Sequence, residues 1–241
     1  MTHISPFAHG GPRLLLFDID GTLLRTGGAG RISMERSFEK LYGLENALDS
    51  IPMMGRTDPL IFRDVLEKNG IMWNSEHEEQ MKKTYFSILR REIRRPRKDG
   101  KICPGIVPLL DACTDDTNLF LGLLTGNYRE SARIKLKHFG LDSYFPFGAF
   151  ADDSAERSGL GKFAIERFSK TRGFSPAPDR VFIIGDTPSD IACARPYNFK
   201  TIAVATGIHT CDELKEHNPD AVYSDFSSYD RVLSFITGNN R

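Results

Sequence analysis

Short apolar runs, each ending in polar or acidic residues, punctuate the chain. Leu14-Leu15-Leu16-Phe17 runs into Asp18-Ile19-Asp20-Gly21-Thr22. Apolarity this unbroken and this short predicts a strand buried on both faces, as in a parallel sheet. The run 118–124, ending at Thr125-Gly126-Asn127, and Val181-Phe182-Ile183-Ile184, ending at Gly185-Asp186-Thr187-Pro188-Ser189-Asp190, read the same way. Weaker strands are expected over 145–151 and 201–205, with a short edge strand at 221–223. Helical patterns occupy the intervals: Val107 and Leu110 after Pro104-Gly105, Ile134 to Phe139 up to Gly140, then 160–171, 191–194 and 228–236. Strands alternating with helices predict an α/β protein built on a doubly wound parallel sheet.

The interval 31–95 breaks this alternation. Met34, Phe38 and Leu41 form one helical stripe. Ile61, Val65 and Leu66 form a second, ending near Asn69-Gly70, and Met81, Tyr85, Ile88 or Leu89, and Ile93 form a third. No strand signal of comparable quality interrupts them. The expected organisation is a core made of 1–26 and 101–241, with a helical insertion over 27–100 directly after the first strand. Gly27, Gly28 and Gly30 predict a flexible joint at its start. Arg90, Arg91, Arg94, Arg95, Arg97, Lys98 and Lys101 close it, and read as a solvated helix end and connector rather than a polyanion site.

Composition narrows the function classes. Lys plus Arg equals Asp plus Glu at 32 each, so net charge supplies no bulk attraction to nucleic acid or an anionic membrane. No apolar run approaches the ~18 residues that span a bilayer. Met1 to Pro12 is polar and carries no hydrophobic signal segment, so the cytoplasm is the expected location. Cys103, Cys113, Cys193 and Cys211 form no CxxC pair and read as reduced, mostly buried thiols.

The acids carry the chemistry. Asp18 and Asp20 are two apart, so on an extended backbone both carboxylates face one side. A turn accounts for one Asp and for Gly21, but not for a second acid delivered to the same face. Ligands bind beyond the carboxyl ends of strands in an open parallel sheet, so Asp18, Asp20, Thr125, Asp186 and Asp190 are expected to meet. Helix capping accounts for one polar residue per helix, and leaves several carboxylates in one crevice needing a cation. Oxygen ligands without sulfur or imidazole favour Mg²⁺. One reaction uses every part. Asp18 attacks a phosphomonoester and becomes an aspartyl-phosphate, while Asp20 protonates the leaving alkoxide and later deprotonates the attacking water. Thr125 and the backbone near Gly126 and Asn127 bind phosphoryl oxygens, and Arg157 or Lys162 supplies a phosphate cation.

The blocks DIDGT at 18–22, LLTGN at 123–127 and GDTPSD at 185–190, in this order, resemble the haloacid dehalogenase-like hydrolase superfamily. The likeness covers nearly the whole chain and is closest to the phosphoglycolate phosphatase and β-phosphoglucomutase branch. It implies that the insertion is a helical cap, that Asp18 is the nucleophile and Asp20 the acid/base, and that Thr125 binds phosphate. It also implies Mg²⁺ held by Asp18, the Asp20 carbonyl and Asp186, with Asp190 acting through water or from behind. The Lys-Pro of many relatives is missing. Matching the helix that follows places Arg157 at that position, whereas Lys162 is closer in chemistry. In the segment 53–58, where related caps carry a specificity loop, Arg56 is expected to hold a substrate anion and Thr57 to cap the next helix. The Gly27–Gly30 joint and the Arg95–Gly100 connector are the expected hinges. The expected substrate is a small phosphorylated metabolite. The alternatives are a sugar phosphomutase with the same core residues and, from another class, a receiver-like phosphoacceptor. The large insertion counts against the receiver.

Overall fold

The computed structural model of the chain describes residues 11–238. Most of the polar N-terminal stretch read above therefore lies outside the described residues. In chain order the elements are β1 (Arg13–Phe17), β2 (Leu24–Thr26), α1 (Ala29–Tyr42), α2 (Asp58–Lys68), α3 (Ser75–Glu92) and β3 (Gly100–Ile102). They continue as α4 (Ile106–Asp115), β4 (Leu119–Leu124), α5 (Arg129–Phe139), β5 (Gly148–Ala149), α6 (Leu160–Arg172) and β6 (Val181–Gly185). The last are α7 (Pro188–Ala194), β7 (Lys200–Val204), α8 (Cys211–Lys215), β8 (Ala221–Tyr223) and α9 (Tyr229–Thr237).

Six strands form one parallel sheet in the order β5-β4-β1-β6-β7-β8. The apolar run of β1 is central, and its alternation serves two cores. Leu15 and Phe17 pack with Ile106, Leu109 and Leu110 of α4 and Val232 and Ile236 of α9. Leu14 and Leu16 pack on the other face with Leu160, Ala164 and Phe168 of α6 and with Cys193 of α7. Each of these four β1 side chains is wholly buried, worth roughly 1.5–3 kcal/mol apiece. This is the doubly wound α/β architecture that the hydrophobic pattern predicts. Sequence order runs one way from β1 to β4 and the other way to β6, so the crevice of the fold opens at the carboxyl end of β1.

Helices α1, α2 and α3 share their own apolar cluster, centred on Phe38, Phe62, Tyr85 and Leu89. Phe62 meets Phe38 and Tyr85 edge-on at 5.8 and 5.7 Å. Tyr128 and Ile134, from and beside α5, complete the cluster, so the three helices rest on α5. Of the cations closing α3, Arg95 and the half-buried Arg97 pair with the buried Glu92 carboxylate, as does Arg36 of α1, while Arg90, Arg91 and Arg94 stay exposed as expected of a solvated helix end.

The connectors depart from expectation. Leu24–Thr26 pairs antiparallel with Gly100–Ile102, so both chain crossings are strands of a two-stranded ribbon. Gly27 and Gly28 take left-handed φ of 60° and 85°, but Gly30 already belongs to α1, which starts before residue 31. The strand expected over 145–151 is only the two-residue β5, because a sheet edge needs few hydrogen bonds. Thr57 occupies the N-cap position of α2, yet its hydroxyl donates to Ala155 O at 2.6 Å rather than capping the helix. The four cysteines are free; three are buried and Cys211 is half-buried. No helix among the described residues is long and apolar enough to cross a membrane.

Candidate active site

The three adjacent strands β4, β1 and β6 end side by side, and their terminal residues extend the ladder. The Asp18 N–H donates to Ile184 O at 2.9 Å, and the Thr125 N–H donates to Ala149 O at 3.1 Å. This holds the Asp18 carboxylate at the floor of the crevice, buried. The chain then turns at Gly21, whose φ is 87°, bringing Asp20 to the rim. Asp186 follows β6, and Asp190 lies one turn into the short helix α7.

Asp18, Asp186 and Asp190 can each place one carboxylate oxygen within 4.8 Å of the others. Burial, aided by repulsion from Asp190 and Asp20 and opposed by Arg157, pushes the Asp18 carboxyl up to about 6. Burial raises Asp186 further, with Asp190 and Asp18 adding to it. The two outer acids differ in what they can offer. Asp190 Oδ2 closes a capping box, accepting the Thr187 N–H at 3.0 Å and hydroxyl at 2.7 Å, while its Oδ1 accepts from Arg157. Asp186 Oδ1 accepts the Thr22 hydroxyl at 2.9 Å, but Oδ2 is buried without a partner. Gly21 and Gly207 make the space for that oxygen. A Cβ on either would lie 2.3 or 1.8 Å from it. An orphaned carboxylate oxygen in a glycine cradle, beside a second buried carboxylate, fits a hard divalent cation such as Mg²⁺. Asp18, Asp186 and the nearby Asp20 backbone are the residues that could hold it, with Asp190 already occupied.

Arg157 is buried, and its Nη2 lies 3.1 Å from Asp18 Oδ1 while also pairing with Asp190. Desolvation opposes its charge, but Asp190 and Asp18 more than compensate and raise its pKa. Its Nε is buried and unpaired. Lys162 is not brought to the site. Its side chain is 67% exposed and faces Glu166 at 3.9 Å, because it sits one turn into α6 on the solvent side. Of the two candidate phosphate cations, the fold delivers only Arg157 to Asp18.

Thr125 and Asn127 are both buried, and Gly126 and Asn127 line the cavity. Thr125 Oγ1 accepts the Asn127 N–H at 3.3 Å and its Nδ2 at 2.8 Å, which leaves the Thr125 hydroxyl proton free to be donated outward. The Asn127 amide is thus folded back on Thr125 rather than offered to a ligand. Arg56 lines the cavity but points its guanidinium at Asp64, 2.6 Å away.

Two charged residues outside the sequence motifs complete the site. Lys135 of α5 is 5% exposed and donates to Asp20 Oδ2 and Asn127 Oδ1, each at 2.5 Å. Asn127 Nδ2 donates to the same Asp20 oxygen at 2.8 Å. Asp58, at the start of α2, accepts the Tyr128 N–H at 2.9 Å and the Ser131 hydroxyl at 3.0 Å, and its own N–H donates to Gly126 O at 2.7 Å. Burial raises its carboxyl to about 6 against the lowering influence of Lys135. The one trace of Lys135 in the sequence is its phase: it follows Ser131 and Ala132 by four and three residues, on the face that α5 buries, and its contacts with Asp20 and Asn127 leave no sequence signal.

A haloacid dehalogenase-like hydrolase family model matches residues 15–204. The chain belongs to that family. Among similar proteins, "Probable phosphatase IndB" of Dickeya dadantii is 26% identical over 220 residues, 89% of this chain and 90% of that one. The phosphoglycolate phosphatase of Nitrosococcus oceani is 22% identical, covering 92% and 97%. A solved structure described as a predicted phosphoglycolate phosphatase, from Haemophilus somnus 129pt, superposes with a TM-score of 0.69 at 15% identity, covering 92% of this chain and 98% of that one. The last likeness speaks for the fold alone.

Proposed function

We propose that the protein is a Mg²⁺-dependent phosphatase that hydrolyses a small phosphomonoester through an aspartyl-phosphate on Asp18. One observation carries the reading: a buried aspartate has a second acid with an orphaned oxygen on one side and a buried arginine 3.1 Å away on the other. The phosphatase names of the relatives support it.

Asp18 Oδ attacks phosphorus and the ester P–O bond breaks. Asp20 delivers a proton to the departing oxygen. In the second half water attacks phosphorus, Asp20 takes up its proton, and the Asp18–phosphorus bond breaks, which restores the enzyme. Lys135 and Asn127 hold Asp20 by Oδ2, which leaves Oδ1 to face the leaving group. Arg157 and the Thr125 hydroxyl bind non-bridging oxygens. A bound Mg²⁺ would offset the repulsion between carboxylate and phosphate and screen charge developing on the phosphoryl group. Residues 27–100 act as the cap, hinged on the β2–β3 ribbon, and close the site against water.

Purified protein with Mg²⁺ should hydrolyse p-nitrophenyl phosphate, lose that activity in EDTA and regain it with Mg²⁺. Asp18→Asn should lower kcat by several orders of magnitude without changing the circular dichroism spectrum. Retained turnover in Asp18→Asn, or full activity in EDTA, would refute the proposal.

A further inference from the structure

Above Asp18 and Asp20 lies a cavity of 390 Å³, within the range of small-molecule sites. Its inner walls carry the groups assigned above to the phosphoryl end: acids, Arg157 and the loop at Gly126. Its outer wall comes from the helical insertion and is of another kind. Met34, Ile51, Met53, Met54 and Ile61 form it. The side facing Asp20 continues into a second cavity, lined by Met54 and Ile208.

Exposure singles out the same place. Among the described residues three large apolar side chains are left strongly exposed: Met54, Met72 and Ile208. Met54, at 44%, and Ile208, at 64%, both line this second cavity together with Asp20. Two exposed apolar side chains lining one cavity beside Asp20 offer a contiguous apolar surface to a ligand.

The cations lining the main cavity point to the same class. There are four, and each already faces a carboxylate: Arg31 meets Glu35 and Asp49, Arg56 meets Asp64, Lys135 meets Asp20, and Arg157 meets Asp18 and Asp190. Arg157 is committed to the phosphoryl end. Among the described residues no cation lining the main cavity is without a carboxylate partner, and Arg25, which lines the second cavity, donates to Gly207 O at 2.8 Å. What the wall does leave over is neutral. Tyr85 lines the cavity, and its hydroxyl is buried without a hydrogen-bond partner. A buried hydroxyl of this kind is satisfied when a ligand brings a hydroxyl or ether oxygen to it.

We infer that the leaving group is a carbon-rich, uncharged alcohol whose apolar body packs on the methionine-lined wall and whose neutral oxygen meets Tyr85. This deepens the phosphatase reading and rests on it. It separates this chain from relatives whose names specify phosphoglycolate or pyrophosphate, in which the leaving group is an anion. Methionines suit such a role because their unbranched side chains adapt to an apolar partner.

The test compares kcat/KM for benzyl phosphate, phosphoglycolate and pyrophosphate, with p-nitrophenyl phosphate as a general probe. Benzyl and glycolyl phosphate expel alkoxides of similar basicity, so their ratio reads recognition rather than leaving-group chemistry. The expected result is a preference for benzyl phosphate of at least about tenfold over both anionic substrates, the size of a modest apolar contact. Met54→Lys places a cation at the rim, at an exposed position that tolerates charge. It should move the benzyl-to-glycolyl ratio at least about tenfold towards phosphoglycolate. A wild-type preference for phosphoglycolate or pyrophosphate, or an unchanged ratio in Met54→Lys, overturns the inference and leaves the phosphatase reading standing. Failure to hydrolyse any of the four, p-nitrophenyl phosphate included, overturns both.

Discussion

Replacing Asp58 by Asn should make the protein more stable at neutral pH, although the wild-type carboxylate accepts two good hydrogen bonds. Asp58 is buried where α2 meets α5, with the Tyr128 N–H and Ser131 hydroxyl both on Oδ2. Burial raises its carboxyl from 3.8 to about 6, while Lys135 and the two hydrogen bonds work in the opposite sense. A carboxyl raised in the folded state binds its proton more tightly there than in the unfolded chain. Between pH 4 and 6 the native state therefore carries the extra proton, and stability falls as pH rises through that window. At about 1.4 kcal/mol per pKa unit, the loss is roughly 3 kcal/mol, complete by pH 7. Asn is uncharged throughout and its side-chain oxygen accepts the same two bonds. Asp58→Asn should thus match the wild type near pH 4 and exceed it by roughly 3 kcal/mol near pH 7. Asp18 and Asp186 are raised as well, so the wild-type curve alone mixes several groups; the difference between the two proteins isolates Asp58. Urea unfolding at pH 4, 5, 6 and 7, in EDTA, measures it. Two curves that run parallel across this range would refute the reasoning, and would mean that Lys135 compensates the Asp58 charge in full.

The sheet was legible because β1, β4 and β6 are apolar on both faces, and no amphipathic helix reads that way. The acids at their carboxyl ends were legible for a related reason: a charge abutting a buried strand has nowhere to go but the crevice. Residues whose role depends on a contact between distant segments could not be read. Lys135 sits in Arg133-Ile134-Lys135-Leu136-Lys137, where three cations in five residues suggest solvent, and only its phase along α5 separates it from its exposed neighbours. Asp58 looks like an ordinary first-turn acid of α2, and Tyr85 like one more core aromatic on a helical stripe. Each acquires chemistry only because α1–α3 pack on α5. The β2–β3 ribbon was hidden because three-residue strands leave no periodicity, and because its partners are some 75 positions apart. The choice between Arg157 and Lys162 turned on which way α6 faces. A pattern of charges cannot settle that, whereas a 3₁₀ turn at Arg157–Gly159 that buries only Arg157 does.

That difference is measurable. Arg157→Ala should lower kcat/KM by at least about a hundredfold, since it removes a donor next to the reacting carboxylate, whereas Lys162→Ala should leave activity within about twofold of wild type. The opposite ranking in steady-state assays would move the phosphate cation to α6. Gly126→Ala tests the seat of the helical insertion on the core. A Cβ there would lie 2.3 Å from the Arg56 carbonyl oxygen and 3.1 Å from Thr57 Cα, and both are backbone atoms, so no rotamer change relieves the clash. The same glycine's carbonyl accepts the Asp58 N–H, so α2 must move away as a unit and take Arg56 and Asp58 with it. A displacement of about 1 Å at a catalytic site can cost about a hundredfold in rate, and a loss of that order in kcat/KM is expected, with faster amide exchange at the start of α2. Wild-type activity in Gly126→Ala would show that the insertion closes without touching this loop, and the hinge on the β2–β3 ribbon would then need another stop.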